Sequence, residues 1–239
     1  MVKQNIDMHQ TAIVFGATGL VGKELIFELL ESIQYAKVTA VVRNTLPLAH
    51  PKLEQMIIKD FYKLNDHAQQ FSADCFFCCI GTTIKTAGSK EAFRKVDLDI
   101  PVRIATIAET IRVPNLIIVS SIGANAQSSN FYLKTKGEME QLVKAIYHGN
   151  LKFARPSFLI GNRGEFRFGE KVAKVINAIF GIFMLGPLAK YRGIRSWDVA
   201  RSLVKLPELP KEKIFIQSDE LQQLSGKNRN AKAPTFPSI

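Results

Sequence analysis

Residues Thr11–Gly22 read TAIVFGATGLVG, and the fold follows from how that stretch is divided. Thr11–Phe15 is a short apolar run of the kind that forms a fully buried strand. Gly16-Ala17-Thr18-Gly19-Leu20-Val21-Gly22 follows at once and leads into Val21–Leu30 (VGKELIFELL), which has helical periodicity. Three glycines between a buried strand and a helix suit a turn that receives a pyrophosphate. Gly16 permits the tight turn, Gly19 lets the backbone approach the anion, and Gly22 lets the helix sit close to the sheet. N–H groups at the start of the helix then face the phosphates. The plainer reading is a glycine-rich turn that only permits packing.

The pattern repeats outward from there. Lys37–Val42 (KVTAVV) reads as a second strand and Met56–Lys59 as a third, with a short helical piece to Gln70. Asp74–Ile80 (DCFFCCI) is a fourth strand, followed by a Gly/Thr-rich loop and a long helix over Glu91–Thr110. Asn115–Ser120 is a fifth strand, Tyr132–Tyr147 a helix and Leu151–Ala154 a sixth strand. Strands alternating with helices predict a Rossmann-type α/β fold, a doubly wound parallel sheet with helices on both faces. Beyond Arg155 the pattern loosens, with helices expected near Glu170–Leu185 and Trp197–Lys205 and a last strand at Ile214–Gln217. The expected organisation is a nucleotide-binding core over 1–155, a small C-terminal substrate lobe packed on it over 156–225, and a flexible tail over 226–239 containing Pro234 and Pro237.

The second strand bears on which dinucleotide is held. An NAD site places Asp or Glu near the end of that strand, about 20 residues past the glycines, to hold the ribose 2′-OH. Here no acid lies between Val38 and Asn44, and Arg43 stands in that place. A cation there suits a 2′-phosphate, so NADP is expected over NAD; the alternative is a solvated arginine. Asp60-Phe61 follows the third strand, where Asp60 could accept from an adenine amino group or could cap the next helix.

The fifth strand and the helix after it suggest the chemistry. Tyr132 and Lys136 are four apart, which on a helix puts both side chains on one face. A neighbouring ammonium lowers a tyrosine's pKa and makes it a usable general acid/base. Ser120 and Ser121 end the fifth strand, at the edge of the sheet where a doubly wound fold binds its ligand, and either hydroxyl could reach a substrate carbonyl.

Together these residues resemble the short-chain dehydrogenase/reductase superfamily, and within it the atypical group of Tat-interacting oxidoreductase-like NAD(P)-binding proteins. The resemblance is carried by Gly16–Gly22, by Asp74–Ile80 with Gly81-Thr82-Thr83, and by Ala87-Gly88-Ser89 and Phe93-Arg94-Lys95-Val96-Asp97. It continues through Val119–Ala124, Tyr132 with Lys136-Gly137-Glu138, and Arg155–Gly161. The resemblance implies an NADP(H)-dependent oxidoreductase acting on a carbonyl or alcohol, with no metal. It makes Tyr132 the proton donor and acceptor, Lys136 the partner of the nicotinamide ribose, and Ser121, or else Ser120, the residue that orients the carbonyl. Gly81, Thr82 and Thr83 would line the cofactor near its ribose, and Pro156 and Ser157 would border the nicotinamide. Two departures stand out: Gly81-Thr82-Thr83 replaces the usual Asn-Ala-Gly loop, and the substrate lobe is short. They leave open an NADP(H)-binding regulator or scaffold with little or no turnover.

Composition narrows the remaining classes. The 239 residues are 46% hydrophobic and 22% charged, which excludes collagen-like, disordered and disulfide-scaffold chains. The net charge is +11. Residues 1–150 hold 16 Lys/Arg against 14 Asp/Glu, and residues 151–239 hold 16 against 7. The excess thus falls in the expected substrate lobe, where it suits an anionic substrate, an acidic surface or merely a solvated face. With no helix-turn-helix, zinc or RNA-binding signature, nucleic acid is not the expected partner. The apolar run Ile176–Leu188 reads as core or oligomer interface, or as an apolar lip that touches an apolar-tailed substrate or a membrane surface. The helices Glu91–Thr110 and Tyr132–Tyr147 are where a homodimer would pair. Cys75, Cys78 and Cys79 cluster in an apolar strand and read as core residues in a reducing, cytoplasmic setting. His9, His50, His67 and His148 lack metal-ligand spacing.

Overall fold

The computed structural model describes residues 10–160 and 191–226. Its main sheet has seven strands in the order β3-β2-β1-β4-β5-β6-β9, every neighbouring pair parallel. The strands are β1 (Gln10–Phe15), β2 (Tyr35–Val42), β3 (Leu53–Ile57), β4 (Cys75–Cys78), β5 (Asn115–Val119), β6 (Asn150–Arg155) and β9 (Phe215–Gln217). The order reverses between β1 and β4, the switch point at which a doubly wound sheet opens a crevice. A separate parallel pair joins β7 (Leu159–Ile160) to β8 (Ile194–Arg195).

Both faces of the sheet are covered, which is why its strands are apolar runs rather than alternating ones. In β1 the side chains divide by parity: Ala12 and Val14 enter one core cluster, Ile13 and Phe15 the other. The first cluster is roofed by α1 (Leu20–Glu31) through Leu25, Ile26 and Leu29. It is completed by α6 (Ser196–Lys205) through Val199, Ala200 and Leu203, and by Leu221 of α7 (Ser218–Ser225). The second cluster is covered by α4 (Ile100–Thr110) through Ile104, Ala105 and Ala108, and by α5 (Phe131–Ile146) through Met139 and Val143. Cys75 lies in the first cluster and Cys78 in the second, with Cys79 also buried, so all three thiols pack in the core.

Three features differ from the sequence reading. The third strand begins at Leu53 rather than Met56, because Leu53 pairs with Val38 and carries the ladder to Val42 and Ile57. As the sheet's edge, this strand is only half-buried and lacks the continuous apolar run of the others. The expected long helix is built in parts, α3 (Lys90–Arg94), a wider π turn (Lys95–Asp99) and α4. Pro101 has no N–H to return to the carbonyl four residues back, and the regular ladder loosens just before it. Finally, residues 194–225 build part of the core: β9 is the seventh strand of the main sheet and α6 roofs it beside α1. The expected helix at Glu170–Leu185, the run Ile176–Leu188 and the tail beyond Gly226 lie outside the described residues. Among the described residues no helix is long and apolar enough to cross a membrane.

Candidate active site

Six adjacent strands bring the residues singled out from the sequence to one edge of the sheet. Their carboxyl ends lead to Asp60 (β3), Arg43 (β2), Gly16 (β1), Gly81 (β4), Ser120 and Ser121 (β5) and Pro156 (β6). The geometry at each strand end then separates residues that are poised for a ligand from those that hold the frame.

The turn after β1 is built as an anion cradle. Gly16 has φ +83°, and a Cβ there would stand 2.8 Å from the backbone of Cys79 and Ile80. Only glycine combines that dihedral with that proximity. A Cβ on Gly22 would come within 2.1 Å of the Gly16 carbonyl oxygen, so helix and turn touch backbone to backbone. The Gly19 N–H closes the turn onto that carbonyl at 3.0 Å. Gly19 caps α1 without any side-chain hydrogen bond, so among the described residues no side chain meets the N–H groups of Leu20, Val21 and Gly22. Opening amide donors on a helix with its positive end forward are a phosphate site. Ala17 is buried beneath the turn, and Thr18 stands exposed above it.

Arg43 follows β2, exposed and without an ion pair among the described residues, beside the cradle. Asp60 caps the turn after β3, one oxygen accepting from the Tyr62 N–H at 2.9 Å. The capping role weighed from sequence is therefore the one its geometry displays, while Phe61 packs against the second core cluster. Thr83 caps the short helix α2 (Ile84–Ala87) through the Thr86 N–H at 3.0 Å. Ser157 is turned inward: its hydroxyl donates to the Arg192 carbonyl and accepts from Ser218 at 3.0 Å, within a buried structural link. The Pro156 carbonyl accepts from the Ile122 N–H at 3.0 Å.

Tyr132 sits in the first turn of α5, half-buried, its ring 5.6 Å from that of Phe93. One turn on, Lys136 is buried at 3% exposure, and its Nζ lies 2.7 Å from Oδ1 of Asp97. The other oxygen of Asp97 accepts from the Thr82 N–H at 2.8 Å. Burial alone would lower the lysine's pKa, but the charge of Asp97 and the neighbouring Tyr132 phenol hold it above its usual value. At the end of β5, the Ser121 hydroxyl donates to the Ile122 carbonyl at 3.3 Å, whereas the buried Ser120 hydroxyl has no hydrogen-bond partner among the described residues. An unmet buried hydroxyl at a ligand edge is a group awaiting a partner.

Sequence reasoning missed three supporting contacts. Asp97 was visible as part of a motif but not as a site residue; its signal is an acid flanked by Val96 and Leu98, and only the structure separates it, buried, from the exposed Asp99 two residues on. Gly137 lets α5 press on the loop after Ser121, where a Cβ would meet the Ala126 nitrogen at 2.1 Å. Arg155 and Glu140 form a forked ion pair, Nε to Oε1 at 2.9 Å and Nη2 to Oε2 at 2.5 Å, that fixes β6 against α5.

A glycine cradle at the switch point of a seven-stranded parallel sheet, with a Tyr-Lys pair beside it, defines a dinucleotide-binding Rossmann protein of the short-chain dehydrogenase/reductase type. Residues 16–162 match the NAD(P)H-binding family, and the chain belongs to it. The chain is 35% identical to Protein HTATIP2 of Rattus norvegicus over 170 residues, 70% of this chain and 69% of that one. It is 30% identical to Protein FMP52, mitochondrial, of Candida albicans over 227 residues, 90% of this chain and 98% of that one. Among solved structures, MoeE5 in complex with UDP-glucose and NAD has the same fold, with TM-score 0.63 and 15% identity over 94% of this chain and 83% of that one.

Proposed function

We propose that the protein is an NADP(H)-dependent oxidoreductase that interconverts a carbonyl and an alcohol. The observation that carries this reading is the Tyr132–Lys136–Asp97 cluster on the same sheet edge as the Gly16–Gly22 cradle. The cofactor, when bound, supplies or accepts the hydride. The chain's own residues do the rest.

The amides of Leu20, Val21 and Gly22 receive the pyrophosphate, and Arg43 meets the 2′-phosphate, which gives NADP its preference over NAD. Tyr132 donates its phenolic proton to the carbonyl oxygen in reduction and takes it back in oxidation. Lys136 stays protonated beside it, favours the phenolate form and donates to the nicotinamide ribose. Ser120, whose hydroxyl is otherwise unmet, donates to the carbonyl oxygen as negative charge develops there; Ser121 lies next to it. The basic C-terminal stretch favours an anionic substrate, and the apolar run Ile176–Leu188 an apolar-tailed one.

The test is a panel of aldehydes, ketones and quinones mixed with NADPH, followed by loss of the reduced nicotinamide absorbance. Consumption of NADPH with one class, and weaker affinity for NADH than for NADPH, is the expected outcome. A protein that binds NADPH yet consumes it with no member of the panel contradicts the enzymatic reading and leaves a cofactor-binding regulator.

A further inference from the structure

The parallel ladder of β2 and β3 runs to Val42 beside Ile57, and the Ile58 N–H extends it by donating to the Val42 carbonyl at 2.9 Å. Both chains then leave the sheet at its carboxyl edge, β2 into Arg43-Asn44 and β3 into Lys59-Asp60. A side-chain hydrogen bond closes the gap between them: the Lys59 ammonium donates to Oδ1 of Asn44 at 3.0 Å. Lys59 is thereby held beside the residue that adjoins Arg43. All three side chains are exposed, and neither cation has a carboxylate partner among the described residues. The acid next in the chain, Asp60, is turned to the Tyr62 N–H. Two neighbouring cations without a counter-ion repel each other, and a tethered lysine gives up rotamer freedom. An anion received between them offsets both costs.

We propose that Lys59, positioned by Asn44, is a second reader of the 2′-phosphate of NADP(H) and shares that group with Arg43. This role rests on the reading of Gly16–Gly22 as a dinucleotide cradle given above. A phosphate monoester carries about −1.5 to −2 charge at pH 7, so one guanidinium leaves part of it unmet. The two side chains bring different chemistry. Arg43 offers a planar fork for two oxygens, and Lys59 a compact point charge for the third. Asn44 does not touch the phosphate; its amide oxygen keeps the ammonium from swinging into solvent. A ribose 2′-hydroxyl carries no charge and gains little from either cation, so both discriminate against NAD.

The experiment measures binding of adenosine 2′,5′-bisphosphate and adenosine 5′-monophosphate, which differ only in the 2′-phosphate, by calorimetry on the full chain at about 50 mM salt. Wild type, Lys59→Met, Asn44→Ala and the double variant Lys59→Met/Asn44→Ala are compared. Methionine keeps the stem and drops the charge. Neither position is buried, so melting temperatures should match wild type. Wild type is expected to bind the bisphosphate at least about tenfold tighter than the monophosphate. Lys59→Met should lose about five- to tenfold in bisphosphate affinity and less than about twofold in monophosphate affinity. Asn44→Ala should lose about threefold for the bisphosphate, and nothing further in the Lys59→Met background, because it acts through the ammonium. A bisphosphate preference unchanged in Lys59→Met would overturn the role of Lys59 and leave the NADP reading standing on Arg43. An equal fall for both nucleotides would also overturn it, since Lys59 would then attract anions generally. Additive losses in the double variant would overturn Asn44 as the positioning residue. Equal binding of the two nucleotides by wild type would instead overturn the NADP reading, and the role of Lys59 with it.

Discussion

The two halves of the site are built on opposite principles. The phosphate cradle at Gly16–Gly22 is made of backbone: glycines, amides and a helix end, with no charged side chain inside it. The reactive end around Tyr132 is made of buried charge, Lys136 with Asp97 and, beneath it, Arg155 with Glu140. A backbone site binds a polyanion by geometry and tolerates almost no added atoms. A charged site works only while each charge keeps its partner, and it can be disabled without changing any shape. The basic excess lies outside both halves, in residues 151–239. Of the eleven basic residues from Lys152 to Lys205, six lie among the described residues. Four of these serve as structural ties: Lys152 donates to the Pro210 carbonyl at 2.7 Å and Lys205 to the Leu224 carbonyl at 2.7 Å. Arg155 pairs with Glu140 and Arg201 with Glu28. In this stretch, part of the basic excess is the frame itself.

The contrast can be broken most severely at Gly22. Gly22→Ala places a methyl group 2.1 Å from a backbone oxygen, and no side-chain rotation relieves it. NADPH affinity, measured by calorimetry, should fall by at least about a hundredfold, and unfolding should begin at lower urea. Next comes the charged half. Glu140→Gln leaves the Arg155 guanidinium without its fork, and folding stability should drop by about 2–3 kcal/mol in urea titrations, with Arg155→Met recovering part of the loss in the double variant.

A third test uses a carboxylate in neither half. Glu24 lies on α1, and burial first, with the charge of Glu28 second, raises its pKa from 4.5 to about 7. A raised carboxylate pKa means that the folded state holds the proton more tightly than the unfolded one. Its stabilising share is therefore complete below about pH 4.5 and is lost as pH rises through about 7. Glu24→Gln should be the more stable protein at neutral to alkaline pH by about 1–3 kcal/mol, and should flatten the wild-type decline in thermal unfolding scans. The smallest effect is expected at Arg43, an exposed side chain. Arg43→Asp should reduce the ratio of NADPH to NADH affinity about tenfold without moving the melting temperature. An unchanged ratio would reassign the 2′-phosphate to another group.

The backbone half was the more legible in the sequence, for a physical reason. A strand, a glycine turn and a helix start are local, and Gly16, Gly19 and Gly22 could be read from their spacing between a buried strand and a helix. The alternation of apolar runs and helices likewise sufficed for the parallel sheet, because strands covered on both faces must be apolar. The charged half depends on pairs distant in sequence. Lys136 meets Asp97 across 39 residues and Arg155 meets Glu140 across 15, and no periodicity links them. Tyr132 and Lys136 were readable because four residues is one helical turn. The seventh strand shows the same limit: a strand at Ile214–Gln217 was expected, but its pairing with β6, Phe153 beside Phe215, spans 62 residues. Ser157, which the resemblance places beside the nicotinamide, has its hydroxyl directed by Arg192 and Ser218, which lie 35 and 61 residues away.

On the proposed reading, the cradle binds the dinucleotide while Tyr132 performs the proton transfer. Tyr132→Phe removes one hydroxyl and leaves the cradle untouched, so it separates the two halves cleanly. The direct measurement is single-turnover oxidation of bound NADPH by a carbonyl that wild type reduces, paired with NADPH affinity for the same two proteins. Equal affinity is expected, with a rate in the variant lower by at least about a hundredfold. Turnover at the wild-type rate in Tyr132→Phe would contradict it.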